Sequence, residues 1–355
     1  MLKKPVGIGI IGTGFGGFVQ LPAFSALTDA CVIGIASKEG KKTDELRKKY
    51  KLPQSFESPE ELISCSSVDL VSIAVPQAAH EPLVHAAIKA GKHILCEKPF
   101  TLSATQGQQL LDEAEAAGII HAIDFEFREL PAVALLKKRV MSGSVGTIRS
   151  ARLQWIVGTW ADLQRTWHWQ CDAQAGGGVL SALGVHLFDL AEWLCGDVTK
   201  LKATTGTKMK ERPDENGQMK AVTSEDHASI EMMSADDASI TIALSNVEKA
   251  GTGLMIEIVG DKSTLRLESA SQEYGRGLSV KEIVDGTATV LLEAQDAPAG
   301  TDPRIPPFQT FAHRLVKALQ ENDTAFRPSF VEGVRTQLIR EAVLASNDAW
   351  VEIGA

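Results

Sequence analysis

The run GIGIIGTGFGG carries Gly12, Gly14 and Gly17 in a GxGxxG spacing directly after an apolar segment. Glycines so spaced permit a tight turn and let the backbone approach a pyrophosphate, whose charge the following helix N-terminus favours. With Phe15 inside the turn, they form the expected phosphate loop of a dinucleotide site. The next strand-like run, CVIGIAS, closes on Ala36-Ser37-Lys38, with no acid there to bind ribose hydroxyls. Ser37 and Lys38, with Lys41 and Lys42 close behind, suit a 2′-phosphate instead, so NADP is the expected coenzyme and NAD the second choice. Two more residues carry acid-base chemistry: Lys98 in AGKHILCEKP and His186 in GGGVLSALGVHLFD. Imidazole titrates near neutrality and can exchange protons there. In an unspecified context a turn lysine is solvated and a histidine on an apolar helix is a hydrogen-bonded core residue. Ala182 stands four residues before His186, on the same face of an α-helix, where a carboxylate would orient the ring.

These residues need a scaffold, and the chain supplies two kinds. Up to residue 124, apolar strands (VGIGIIG, CVIGIAS, DLVSIAVP, HILCEKP, IIHAIDF) alternate with amphipathic helices, one of them expected over 17–28. Continuous apolar strands separated by helices indicate a doubly wound parallel sheet. Past about residue 145 the runs TIRSARLQWIV, KLKATTGTKM, DHASIEMMS, SITIALSNV, LMIEIVGD, STLRLES, SVKEIVD and TATVLLEA alternate polar with apolar positions. That pattern predicts a mostly antiparallel sheet with one buried face. SITIALSNV and LMIEIVGD are expected to expose apolar side chains on one face at least. KMKERPDENGQMKAVTSED is an exposed hairpin or loop, and helices near 308–322 and 330–347 close the chain.

Bulk properties narrow the function. The 355 residues are 44% hydrophobic and 23% charged, which is ordinary for a globular enzyme. A formal charge of −9, from 45 acidic against 36 basic residues, argues against nucleic-acid or anionic-membrane partners. MLKKPVGIGIIGTG reads as no signal peptide, and no apolar run reaches the roughly 18 to 20 residues of a membrane span. The five cysteines form no CxxC pair, so a reducing cytoplasm is expected, with no metal site and no disulfide framework.

GIGIIGTGFGGFVQLPA, AVPQAAH, AGKHILCEKP and GGGVLSALGVHLFD resemble the glucose-fructose oxidoreductase, inositol dehydrogenase and rhizopine-catabolism (Gfo/Idh/MocA) oxidoreductases. FEFRELPA, GSVGTIRSA, EDHASIEM and PSFVEGVRTQLIREAVLAS extend the likeness over nearly the whole chain. The resemblance implies a Rossmann domain over 1–124. It implies over 125–355 an open-faced, mostly antiparallel α+β domain that binds a small-molecule substrate and joins subunits into a homodimer or homotetramer. It places Glu97-Lys98-Pro99, whose Lys-Pro bond is frequently cis in such proteins, beside the nicotinamide, with Lys98 binding the reacting hydroxyl or carbonyl. It gives His186 the proton exchange, where the family often has an acid in the place of Ala182.

Pro76 and His80 close a later strand at its C-terminal end, where coenzymes bind, or His80 only stabilises the turn. Arg128 and His168 fall in stretches that approach the substrate in relatives, and Trp160, Trp167 and Trp169 form an apolar wall or serve structure. Asp172 and Gln174 line the pocket or cap a helix. Asp189 orients His186 or makes a buried hydrogen bond. The implied activity moves hydride between the nicotinamide and a secondary alcohol or ketone of a sugar, inositol or related cyclic compound. The alternatives are a coenzyme-binding regulator without turnover and, as in the similar biliverdin reductases, a reductase of a larger unsaturated ligand.

Overall fold

In the computed structural model, which describes residues 4–273, 275–294 and 302–354, every residue of the first strand, VGIGII, is buried. Met1, Leu2 and Lys3, which open the segment read above for a leader, lie outside the described residues. The chain divides into two units, Met1–Glu129 with Arg304–Gln337 and Leu130–Pro303 with Leu338–Ala355.

The first unit holds strands β1 (Val6–Ile11), β2 (Ala30–Ala36), β3 (Leu70–Ile73), β4 (His93–Cys96) and β5 (His121–Ile123), paired in parallel in the order β2-β1-β3-β4-β5. Strands covered on both faces bury every residue, which is why β1, β3 and β5 show no alternation. Helices α1 (Leu21–Ser25), α2 (Gly40–Tyr50), α3 (Pro59–Ser64), α4 (His80–Lys89) and α5 (Ala104–Ala116) lie between them in sequence. The helix expected over 17–28 is shorter and begins as a π turn, Gly16–Gln20, in which Leu21 N–H reaches Gly16 O.

The second unit opens with α6 (Pro131–Met141), β6 (Ile148–Ile156) and α7 (Val185–Cys195), followed by β7 (Val198–Gly206) and the hairpin β8 (Glu211–Pro213) and β9 (Met219–Ala221). Then come β10 (His227–Ser234), β11 (Ser239–Ser245), β12 (Gly253–Gly260), β13 (Thr264–Ser269), β14 (Leu278–Val284) and β15 (Thr287–Leu292). With β16 (Val351–Glu352), the sheet among the described residues runs β15-β14-β13-β12-β6-β11-β10-β7-β16. Its pairs are antiparallel except β6 with β11. Ile240, Ile242, Leu244, Ile256 and Ile258 are all buried. The other face carries the half-buried Met255 and Val259 together with ion pairs, Arg152 and Arg266 on Glu257, Lys202 on Glu231 and Lys281 on Glu268. Period-two alternation assigned the apolar set to one face, and α6, α7 and their neighbours pack there.

Two helices follow, α8 (Ile305–Glu321) and α9 (Phe330–Ser346). Residues 304–337, expected in the second domain, belong to the first unit. Phe308, Phe311, Leu315 and Val316 make one apolar stripe on α8, fully buried in a cluster with Val19, Leu21 and Phe24. Phe308 meets Phe24 edge-on at 5.3 Å, and Phe330 stacks on Phe100 at 4.3 Å. Burial of that stripe, rather than sequence order, decides where the segment belongs.

Candidate active site

Gly12 has φ +114°, a conformation that only glycine adopts without strain, and a side chain there would meet Ala74 O at 2.0 Å. The direction a Cβ would take at Gly14 is open space, and at Gly17 it meets Leu46. The loop is thus tight on its inner side and vacant on the side where a pyrophosphate would approach, and it fits a dinucleotide. Phe15 lies edge-on to Phe308 at 6.3 Å.

An acid does serve the end of β2, three residues beyond Ala36. Ser37 Oγ accepts the Glu39 N–H at 3.2 Å, and the turn brings Glu39 Oε2 to Thr13 Oγ1, which donates to it at 3.2 Å. Lys42 lies 3.5 Å from the same carboxylate, while Lys38 is exposed. The inference of NADP rested on the absence of an acid, and that ground is corrected. Glu39 lies one residue beyond the Ala36-Ser37-Lys38 run, and only the turn brings its carboxylate back to the glycine loop.

Lys98 follows β4 through a cis bond to Pro99. His80, the first residue of α4, is buried behind it: Nδ1 lies 3.1 and 3.0 Å from the Pro99 and Phe100 carbonyls, and Nε2 lies 2.9 Å from Val75 O. Burial lowers its pKa against these three carbonyls, and its ring pins the turn that carries Lys98. Pro76 leads the short turn before α4, where Gln77 reaches the Thr101 carbonyl. Glu97 is buried and shares a donor with Asp124: Gln20 Nε2 gives hydrogen bonds to Glu97 Oε1 at 3.0 Å and Asp124 Oδ2 at 3.3 Å. Ser72 Oγ in turn donates to Gln20 Oε1 at 2.7 Å. Burial pushes both carboxyls up, Asp124 well above the carboxylate range, and Lys98 favours the charge on Glu97. Asp124 and Gln20 were not singled out from sequence, although Asp124 directly follows β5 at the end of the sheet where coenzymes bind.

His186 lies in the first turn of α7, 3% exposed, with its ring 6.1 Å from that of Trp155. The approach to it is a π turn, Leu180–Gly184, in which Val185 N–H reaches Leu180 O. The expected α-helical relation to Ala182 is corrected accordingly: the wider turn puts Ser181, five residues before His186, into play beside Ala182. Ser181 is buried and its Oγ has no hydrogen-bond partner. The turn is anchored by Glu225, whose backbone carbonyl accepts Val179 N–H at 2.8 Å and whose Oε1 accepts Leu180 N–H at 3.0 Å. Gly178, at φ +108°, leaves room for that carboxylate, since a Cβ would lie 2.1 Å from Oε1. Asp189 is buried in α7.

The remaining candidates separate. Arg128 is buried 3.7 Å from Glu332, within the first unit. Burial raises the Glu332 carboxyl, but the Ser329 N–H, Arg128 and Arg327 outweigh it and hold it low. Asp172 Oδ1 accepts the Gln174 N–H at 2.9 Å and caps that turn. His168 packs edge-on to Trp160 at 4.9 Å, Trp167 donates to Ala221 O, and Trp169 is exposed. Among the described residues no group of three or more His, Cys, Asp or Glu could hold a metal, and no helix is long and apolar enough to cross a membrane.

Comparison with known proteins agrees with this geometry. Residues 6–125 match the family described as "Oxidoreductase family, NAD-binding Rossmann fold", and residues 133–266 match the "GFO/IDH/MocA C-terminal domain". An uncharacterized oxidoreductase of Synechocystis sp. is 32% identical over 363 residues, spanning 99% of this chain and 98% of its own. Levoglucosan dehydrogenase of Pseudarthrobacter phenanthrenivorans is 27% identical over 384 residues, spanning 98% and 97%. A solved levoglucosan dehydrogenase in complex with NADH and L-sorbose superposes with a TM-score of 0.89 at 24% identity, covering 99% of this chain and 100% of its own. With an open glycine loop before α1 and matches in both units, the chain belongs to the Gfo/Idh/MocA family of NAD-binding oxidoreductases.

Proposed function

We propose that the protein is an NAD(H)-dependent dehydrogenase of a secondary alcohol on a sugar, inositol or related cyclic compound. The observation that carries this is the Glu97-Lys98-Pro99 turn, pinned by His80 and backed by the buried Gln20-Glu97-Asp124 network. A lysine held this way loses little freedom on binding the reacting oxygen. Bound NAD+ supplies the hydride acceptor. Lys98 hydrogen-bonds the hydroxyl oxygen and steadies the negative charge that grows there as the C–H bond breaks. His186 takes the hydroxyl proton and passes it to solvent, so alcohol and NAD+ become ketone, NADH and one proton. Levoglucosan dehydrogenase, among the relatives, supports a sugar alcohol as substrate.

NAD is preferred over NADP because Glu39, bonded to Thr13 of the glycine loop, would accept hydrogen bonds from a ribose diol and repel a 2′-phosphate. Subunits associate through the outer sheet face, where the ion pairs of Glu257, Glu231 and Glu268 lie. Initial rates of NAD+ reduction across a panel of hexoses, inositols and anhydrosugars test the function. Turnover of at least one member that disappears in Lys98→Met is expected, and no turnover in either direction with any member overturns the reading.

A further inference from the structure

Two guanidiniums and an imidazole gather on one tryptophan in the second unit. Trp160, 8% exposed, follows β6, and its N–H donates to Asn246 O at 2.8 Å just past β11. The Arg165 guanidinium lies 5.0 Å from the Trp160 ring centre, and that of Arg212 lies 5.8 Å from it. His168 meets the ring edge-on and has Nε2 3.5 Å from Arg165 Nη2. Arg212 is 1% exposed and spends its two terminal nitrogens on the Trp160 and Asp162 carbonyls, while Arg165 gives one to Thr159 O.

No carboxylate lies within ion-pair distance of either arginine among the described residues, and the Nε of each is buried without a partner. Asn246, 2% exposed, leaves both carboxamide atoms unpaired in the same neighbourhood. In a chain of net charge −9, two guanidiniums lie beside an imidazole with no carboxylate in contact, Asp162 supplying only a more distant charge, an arrangement that an anion would complete. Burial lowers the Arg165 pKa, with Arg212 adding to the effect, and the His168 pKa is lowered by burial and by both arginines.

Placement connects the cluster with His186. β6 and β11 are parallel neighbours, and His186 packs on Trp155 near the end of β6, five residues before Trp160 in the same chain direction. We propose that Arg165 and His168, backed by Arg212, bind an anionic group of the substrate, a carboxylate or a phosphate monoester carried on the sugar. This rests on the sugar dehydrogenase reading above. Arg165 supplies the charge-assisted hydrogen bonds, and Arg212, tied to two carbonyls, supplies the fixed field beneath it.

The test is calorimetric titration of the full-length protein saturated with NADH, which occupies the phosphate loop, using D-glucose, D-gluconate and D-glucose 6-phosphate as probes. One of the two anions should bind at least about tenfold more tightly than glucose, which also tells carboxylate from phosphate. Arg165→Gln should weaken that anion about 10- to 100-fold, leave glucose and NADH affinity unchanged, and be partly rescued by Arg165→Lys. His168→Gln, checked like the others for an unaltered melting curve, should reproduce a smaller loss. Equal binding of glucose and both anions, no anion binding up to about 10 mM, or unchanged anion affinity in Arg165→Gln overturns the proposal. Anion binding at Arg165 without NAD+ reduction by any panel member, by D-gluconate or by D-glucose 6-phosphate would instead refute the dehydrogenase reading and leave the anion site standing.

Discussion

Glu97 and Asp124 accept hydrogen bonds from a single amide group, Gln20 Nε2, at 3.0 and 3.3 Å, and both are buried. Burial raises both carboxyls, Asp124 well above its ordinary range with the Glu97 charge adding to the effect, while Lys98 favours the charge on Glu97. The raised Asp124 pKa means that the folded state retains a proton which the unfolded chain releases above about pH 4. Stability from this group therefore falls as pH rises through that window. Asp124→Asn mimics the protonated form and has no such slope, so its melting temperature should gain on the wild type between about pH 5 and pH 8. A constant difference across that range would show that Asp124 is ionised in the fold.

His121 gives the opposite slope. Burial and the charge of Arg327 lower its pKa to about 4, and its Nδ1 accepts the Phe330 N–H at 3.3 Å while the ring stacks on Phe330. The unfolded chain binds a proton near pH 6.5 that the folded one refuses until about 4, so stability is full above the unfolded value and drains as pH falls through that interval. The loss should reach about 3 kcal/mol in denaturant titrations compared at pH 7 and pH 4. His121→Leu, weaker at neutral pH for want of the Phe330 acceptor, should lack this component.

Coenzyme choice turns on Glu39. Glu39→Ala should weaken NADH about tenfold and narrow or reverse its advantage over NADPH, because it removes a ribose acceptor and a repulsive charge together. Fluorescence titration of both coenzymes at one ionic strength reads this. Tighter NADPH binding by the wild type would return the choice to Ser37 and Lys38.

Lys98→Met and His186→Ala should each lower kcat about 10²- to 10⁴-fold with NADH affinity nearly unchanged. If the His186 loss comes from proton transfer, it shrinks in imidazole-containing buffer, which a packing defect would not do. Unchanged turnover in both variants would remove them from the reaction.

Light scattering at micromolar concentration should give a mass of at least twice the 38.1 kDa chain. Glu231→Lys, which breaks the pair with Lys202 on the outer sheet face, should shift the protein toward monomer without altering its melting curve at low concentration. A monomeric wild type refutes association through this face.

Local pattern was enough for the sheet of each unit. The unbroken burial of β1 and β3 and the alternation of β10 and β13 record which faces are covered, because burial acts on each side chain where it stands. The glycine loop was legible for the same reason, since φ +114° at Gly12 is a property of one residue and its turn. Only the tertiary structure joined Thr13 to Glu39, Gln20 to Glu97 and Asp124, and Arg165 to Arg212 around Trp160. It alone returned α8 to the first unit, where Phe308 found Phe24. Such pairings are set by the free energy of burying side chains against partners far along the chain, and neither composition nor spacing specifies which partner that is. The π turn before His186 belongs with them, because its extra residue is held by Glu225 from a later segment and leaves no mark in the helical periodicity of its own sequence.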